Sequence, residues 1–191
     1  RFRPRKGNWA LDINAASQNE GLGGFGSGGL TLSGSATYYF SDALNLTPSL
    51  SLRWSPDWVL WRGANRLATF EARQVSFNTD LNWIISPRSE LRLKLETIAL
   101  RAEALQGYRV GADREPRASD DDPADFSLRN LGFQLRYRYQ LAPLSDLYVV
   151  YSRGGFGFDE GPRDLGGLFN DTFTLDDDEQ FLVKLSYRFE V

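Results

Sequence analysis

Phe181-Leu182-Val183-Lys184-Leu185-Ser186-Tyr187-Arg188-Phe189-Glu190-Val191 closes the chain with a strict alternation. Phe181, Val183, Leu185, Tyr187, Phe189 and Val191 fall on one side, and Leu182, Lys184, Ser186, Arg188 and Glu190 on the other. Successive side chains of a strand point to opposite faces, so this stretch reads as a strand with one apolar, aromatic-tipped face and one mainly polar face. Lipid on one side and a wet or ion-paired lumen on the other require that pattern. A soluble half-buried strand gives it too, so the rest of the chain has to decide.

The same alternation recurs upstream. Trp9, Leu11, Ile13 and Ala15 alternate with polar or small residues, as do Leu30, Leu32, Gly34, Ala36, Tyr38 and Phe40. Leu44 to Trp54 and Val75 to Ile85 repeat it, followed by Leu91 to Ala99 and Leu131 to Leu141. Leu147, Val149 and Tyr151 make a weaker strand, because Tyr148 and Val150 spoil its polar side. With the terminal strand this predicts about eight strands, each long enough for the roughly 9–11 residues of a tilted membrane strand. The expected fold is all-β, an antiparallel transmembrane β-barrel over residues 1–191, either closed or the C-terminal part of a larger barrel. A soluble lipocalin-type barrel would also alternate, with its apolar face turned inward. Two features favour the membrane barrel: an apolar face almost free of charged gatekeepers, and the pattern of the connections.

Those connections alternate between tight and long. Ser41-Asp42, Ser86-Pro87-Arg88-Ser89 and Ala142-Pro143-Leu144-Ser145-Asp146 are rich in turn formers. Between them lie expected long loops at 18–29, 55–73, 103–125 and 154–179. Outer-membrane barrels of Gram-negative bacteria have short periplasmic turns and long extracellular loops, which puts both termini in the periplasm. Tyr38, Phe40, Trp83, Tyr137, Tyr139, Tyr187 and Phe189 gather near the short-turn ends and read as an interfacial aromatic girdle.

Composition agrees. The 191 residues suit one domain. Cys, His and Met are absent, which removes disulfides, thiolate metal sites and the commonest general base and metal ligand. The lack of an initiating Met points to a processed chain or part of a longer one, and no signal peptide follows Arg1-Phe2-Arg3-Pro4-Arg5-Lys6. Mean hydropathy is negative and charged residues make up 25%, compatible with a barrel whose polar lumen dilutes hydropathy. A net charge of −3 does not suggest a nucleic-acid binder.

The expected lumen face carries Arg53, Arg92, Lys94, Arg136, Arg138, Lys184 and Arg188, which outnumber Asp12, Asp80, Glu96 and Glu190. In a wide barrel a basic surplus favours anionic solutes; in a closed eight-stranded barrel the same residues would fill the interior as an ionic plug. The carboxylates read as partners of those cations rather than as a glycosidase-type pair, and the His-dependent outer-membrane hydrolase mechanisms are ruled out. The expectation is a non-enzymatic protein without a cofactor. Asp120, Asp121 and Asp122, with Asp176, Asp177 and Asp178, are hard oxygen ligands that read first as solvated loop residues and second as a Ca²⁺ or Mg²⁺ site. The Gly21–Gly29 stretch lacks the Lys-Ser/Thr of a phosphate loop and reads as a flexible tip.

The segment from Asp125 through Phe126-Ser-Leu-Arg-Asn-Leu-Gly-Phe-Gln-Leu-Arg-Tyr-Arg-Tyr139, followed by Ala142-Pro-Leu-Ser-Asp-Leu-Tyr-Val-Val-Tyr-Ser-Arg-Gly154, resembles a known pattern. It is similar to the C-terminal barrel of a bacterial family that carries a family 9-like carbohydrate-binding module on its N-terminal side. Asp176-Asp177-Asp178-Glu179 and the last strand follow in that family's order, and the likeness is best from Asp125 onward. The resemblance implies the C-terminal portion of a longer outer-membrane barrel and brings no functional residues with it. The last strand also resembles, in part, the signal read by the barrel-assembly machinery, with Lys184 where Gly is usual and two residues beyond Phe189. The functions expected are a porin-like channel or passive transport component, or a non-conducting anchor for a periplasmic carbohydrate-binding module. Expected partners are outer-membrane lipid, lipopolysaccharide and the assembly machinery.

Overall fold

The computed structural model describes residues 5–22 and 28–189. The chain is all-β, 74% strand with one short helix. Its strands are β1 (Arg5–Lys6), β2 (Trp9–Asn19), β3 (Gly28–Ser41), β4 (Leu44–Trp61), β5 (Arg66–Ser86), β6 (Ser89–Val110), β7 (Pro116–Ser119), β8 (Phe126–Ala142), β9 (Ser145–Glu160) and β10 (Asp178–Ser186). Helix α1 (Leu165–Thr172) lies between β9 and β10. The strands form one antiparallel sheet in the order β1-β2-β3-β4-β5-β6-β8-β9-β10, with β7 paired to β6 off that path. The path ends at β1 and β10, and no ladder joins those ends among the described residues. No described helix is long and apolar enough to cross a membrane.

The register joins the separate alternations into two continuous faces. Ile13 pairs with Gly34, Gly34 with Leu50, Leu50 with Phe77, Phe77 with Thr97, Thr97 with Leu131 and Leu131 with Gly155. The adjacent rung runs Asp12, Ser35, Ser49, Asn78, Glu96, Gly132, Gly154 and Asp178 across all eight long strands. Because paired residues share a face, every apolar run read from the sequence falls on the same side. The sheet bends away from that side. The Trp58 ring on β4 lies 6.4 Å from the Phe126 ring on β8, although β5 and β6 intervene. A flat sheet would separate those strands by about 14 Å. The apolar face is therefore convex and the polar face concave.

Three expectations of loop are replaced by structure. Residues 55–73 are strand except for 62–65, where Gly63 (φ 97°) and Ala64 (φ 48°) take left-handed conformations and Arg66 N–H donates to the Gly63 carbonyl, closing a tight turn. Irregularities at Ser55/Trp58 and Thr69/Phe70 shift the phase of the alternation, so the strand continues while its simple pattern breaks. Residues 103–125 contain the end of β6 and all of β7, which occupies the β6 edge beyond the point where β8 stops pairing. Residues 154–179 contain the end of β9 and α1. The Asp164 carboxylate caps that helix by accepting from Gly167 N–H at 2.8 Å. Of the expected 18–29 loop, 23–27 lies outside the described residues, and β2 and β3 occupy parts of both flanks. The final strand stops at Ser186, opposite Asp146, because β9 begins at Ser145 and offers no further partner. Glu190 and Val191 lie outside the described residues.

The buried core sits on the concave face at the long-loop end. Phe70 and Phe126, with Ala68, Ala72, Leu100 and Ala102, are buried there, and Trp58, Leu60, Ala104 and Leu128 pack around them. Each buried aromatic of this size contributes about 1.5–3 kcal/mol.

Candidate functional site

The concave face below that core is a hydrogen-bonding surface. Near β2 to β5 it is built from small polar groups, with Thr37 Oγ1 3.0 Å from Thr47 Oγ1 and Asn82 donating to Asn45. Charge concentrates on β6, β8, β9 and β10, toward the short turns. Arg92 stands directly opposite Arg136, and one rung nearer the turns Glu90 pairs with Arg138, Arg138 with Tyr148 and Tyr148 with Lys184. Lys94 and Glu96 follow on β6, with Asp80 opposite Lys94 on β5. The structure thus brings Asp80, Arg92, Lys94, Glu96, Arg136, Arg138 and Lys184 together. Arg53 lies apart near the long-loop end of β4, and Asp12 lies on β2. Arg188 lies beyond β10, its backbone N–H donating to Ser145 Oγ at 3.0 Å.

The basic surplus is smaller than the pattern suggested. Lys94 Nζ meets Glu96 at 2.7 Å, and Arg138 reaches Asp146 at 3.0 Å. Arg92 pairs with Glu90, and Arg53 contacts Glu20 at 2.7 Å. Glu20, Glu90 and Asp146 are the members sequence reasoning missed. Glu90 shares the parity of Arg92 but precedes the first apolar residue of its strand, and Asp146 reads as a turn residue. Glu20 sits just past β2 and reaches Arg53 across the curvature of the sheet. Above the Lys94–Glu96 pair is a cleft of about 300 Å³ lined also by Gly132, Gln134, Ser152, Gly154 and Asp178. The opposed Gly132 and Gly154 leave its floor bare, and Gly132 has open space where a Cβ would be.

The aromatic girdle residues Tyr38, Trp83, Tyr137 and Tyr139 occupy convex-face positions near the short turns. Tyr38 packs edge-on against Phe40 with centroids 4.5 Å apart, and Tyr187 against Phe189 at 5.0 Å. The acidic candidates do not converge on an ion, and no group of three metal-ligand side chains is found among the described residues. Both Asp121 oxygens accept from Arg109 at 2.9 Å, which holds the Asp121 carboxyl below its ordinary pKa. Asp177 accepts from Phe156 N–H at 2.7 Å.

Sequence reasoning also missed the segment that lies on the convex face. Arg163 binds Asp159 at 3.1 Å and Asp171 at 2.6 Å, and Asp159 also pairs with Arg129. Arg163 N–H donates to Ser127 Oγ, and Leu168 and Thr172 of α1 are buried. A Cβ at Gly155 would meet Leu175 at 2.7 Å, and one at Gly157 would meet Arg129 Nε at 2.6 Å. The signal was Gly155 and Gly157 at strand spacing, which marks a close approach on one face.

Comparison of the chain with protein-family models, curated proteins and solved structures finds no match.

Proposed function

We propose that this sheet is the wall of a bacterial outer-membrane β-barrel, with the convex face toward lipid, the concave face toward the lumen and the short turns and termini in the periplasm. The observation that carries the reading is the apolar face that β2 to β6 share and that continues onto β8 to β10, where Arg129, Arg153 and Glu179 interrupt it, set opposite a face of hydroxyls, amides and ion pairs. The run from Arg73 to Trp83 spans about 33 Å along β5, or about 25 Å of height at the usual barrel tilt of about 40°, the thickness of an outer-membrane apolar band. The protein acts as a channel or passive transport component for small polar solutes. The ion-paired concave face supports only weak anion preference, since four of its cations already have carboxylate partners. It catalyses no reaction. Its other partners are lipopolysaccharide and the assembly machinery.

A second reading is a non-conducting anchor for a carbohydrate-binding module, in keeping with the family resemblance. The same ion pairs favour it, because in a closed eight-stranded barrel they would occupy the lumen. Single-channel recording of the refolded 191-residue chain in a planar bilayer separates the two. Steady current with weak anion preference supports transport. A folded, silent protein supports the anchor.

A further inference from the structure

On the convex face, one rung above the apolar band, like charges stand directly opposite one another. Arg73 on β5 pairs in register with Arg101 on β6, and two residues further out Glu71 pairs with Glu103. Like charges directly opposite on neighbouring strands destabilise a sheet. Each arginine pairs along its own strand, Arg73 with Glu71 at 2.8 Å and Arg101 with Glu103, and Glu71 also feels Arg101 across the strands. Such exposed pairs contribute little, so they do not explain why two guanidiniums are set side by side. Trp54 lies opposite Arg73 on the other side, which extends the rung as Trp54–Arg73–Arg101. Immediately below it run Leu52, Val75 and Ala99. The Arg73 and Arg101 side chains are 60% and 35% exposed, so both are accessible from outside.

We propose that Arg73 and Arg101 bind the phosphate of an anionic lipid headgroup at the upper border of the band, a site that rests on the membrane reading above. An anion between two guanidiniums converts their repulsion into charge-assisted hydrogen bonds, and each planar fork keeps N–H groups free beyond those given to its glutamate. The position suits the ligand. Acyl chains lie along Leu52 and Val75, the phosphate meets the arginines, and the indole of Trp54 sits where amphipathic rings settle. Glu71 and Glu103 hold the same guanidiniums from the next position outward, so they compete with the phosphate for part of each fork.

The test uses the full chain. Protease protection in phosphatidylcholine vesicles first reports insertion, and native mass spectrometry from detergent then compares retention of phosphatidylglycerol with that of an uncharged glucosyl diacylglycerol. Wild type is expected to retain the phosphatidylglycerol selectively. Arg73→Gln/Arg101→Gln should weaken retention by roughly tenfold or more, the loss of at least one charge-assisted bond. Arg109→Gln, which removes a charge in the outer segment, should leave it unchanged. Glu71→Gln/Glu103→Gln should tighten it, by removing the internal competitors. Equal retention of the two lipids, an equal loss in Arg109→Gln, or no tightening in the glutamate variant overturns the site while protection upholds the membrane reading. A chain left wholly digestible overturns both.

Discussion

The two halves of this sheet follow the same alternation with opposite chemistry. Below the Trp54–Arg73–Arg101 rung the convex face of β3 to β6 is apolar and the concave face carries Ser, Thr, Asn and ion pairs. Above it the convex face carries Glu71 and Glu103, with Asp159 on the rung itself and its partner Arg129 one rung below, while the concave face becomes the Phe70–Phe126 core. A soluble sheet keeps one face dry along its whole length. Here the dry side changes partway up the same strands, as it would where a strand leaves lipid and enters water. The inversion also explains why the buried core lies at the long-loop end. On the proposed membrane reading, only there do concave side chains have no aqueous lumen to face.

Three experiments break or sharpen that contrast. Phe126→Ala is expected to have the largest effect, about 3–5 kcal/mol, because it removes an aromatic touching both Phe70 and Trp58; denaturant unfolding in detergent measures it. A small loss would mean that the upper concave face is not a packed core. Leu50→Arg, mid-band on the convex face, should cost about 2–4 kcal/mol in vesicles, the range for a cation on a lipid-facing strand near the midplane. Leu50 is 46% exposed, so in a wet setting the same change would be nearly neutral. Equal refolding midpoints for mutant and wild type would sink the lipid-facing assignment.

The smallest effect is a local one of pH. Asp121, lowered by its hydrogen bonds from Arg109, ties the segment after β7 to the end of β6. A depressed carboxyl contributes fully above its ordinary value of about 3.9, and the contribution is lost as pH falls through the lower folded value. Hydrogen exchange in the β6–β7 ladder, corrected for its intrinsic pH dependence, should therefore show protection falling only in that acid range. Asp121→Asn should remove the step.

How much was legible follows the same division. The lower half could be read because strands buried or lipid-bound on one face need strict alternation, and Leu91, Leu93 and Leu95 opposite Arg92, Lys94 and Glu96 supply it. The register then placed every such run on one side. The upper half resisted for physical reasons. Trp58-Val59-Leu60-Trp61 is consecutively apolar across a phase shift, so it resembles neither strand face. Helix α1 carries Gly166 and Gly167, poor helix formers whose presence hides the Asp164 cap and the Leu168–Thr172 spacing. For the charged patch, the cations were identifiable but three of their partners were not, because Glu20, Glu90 and Asp146 lie at or beyond strand ends, where parity loses its meaning.

The tallest ladder has a kinetic consequence. β5 and β6, of 21 and 22 residues, are joined by Pro87-Arg88 alone, so the longest run of backbone bonds needs only a two-residue loop to close. Every later long strand joins a neighbour already beside it in the chain, apart from the short β7 detour. Assembly can thus zip outward from the centre, each hairpin templating the next, and the last edges to find partners are the short outer strands β2 and β10.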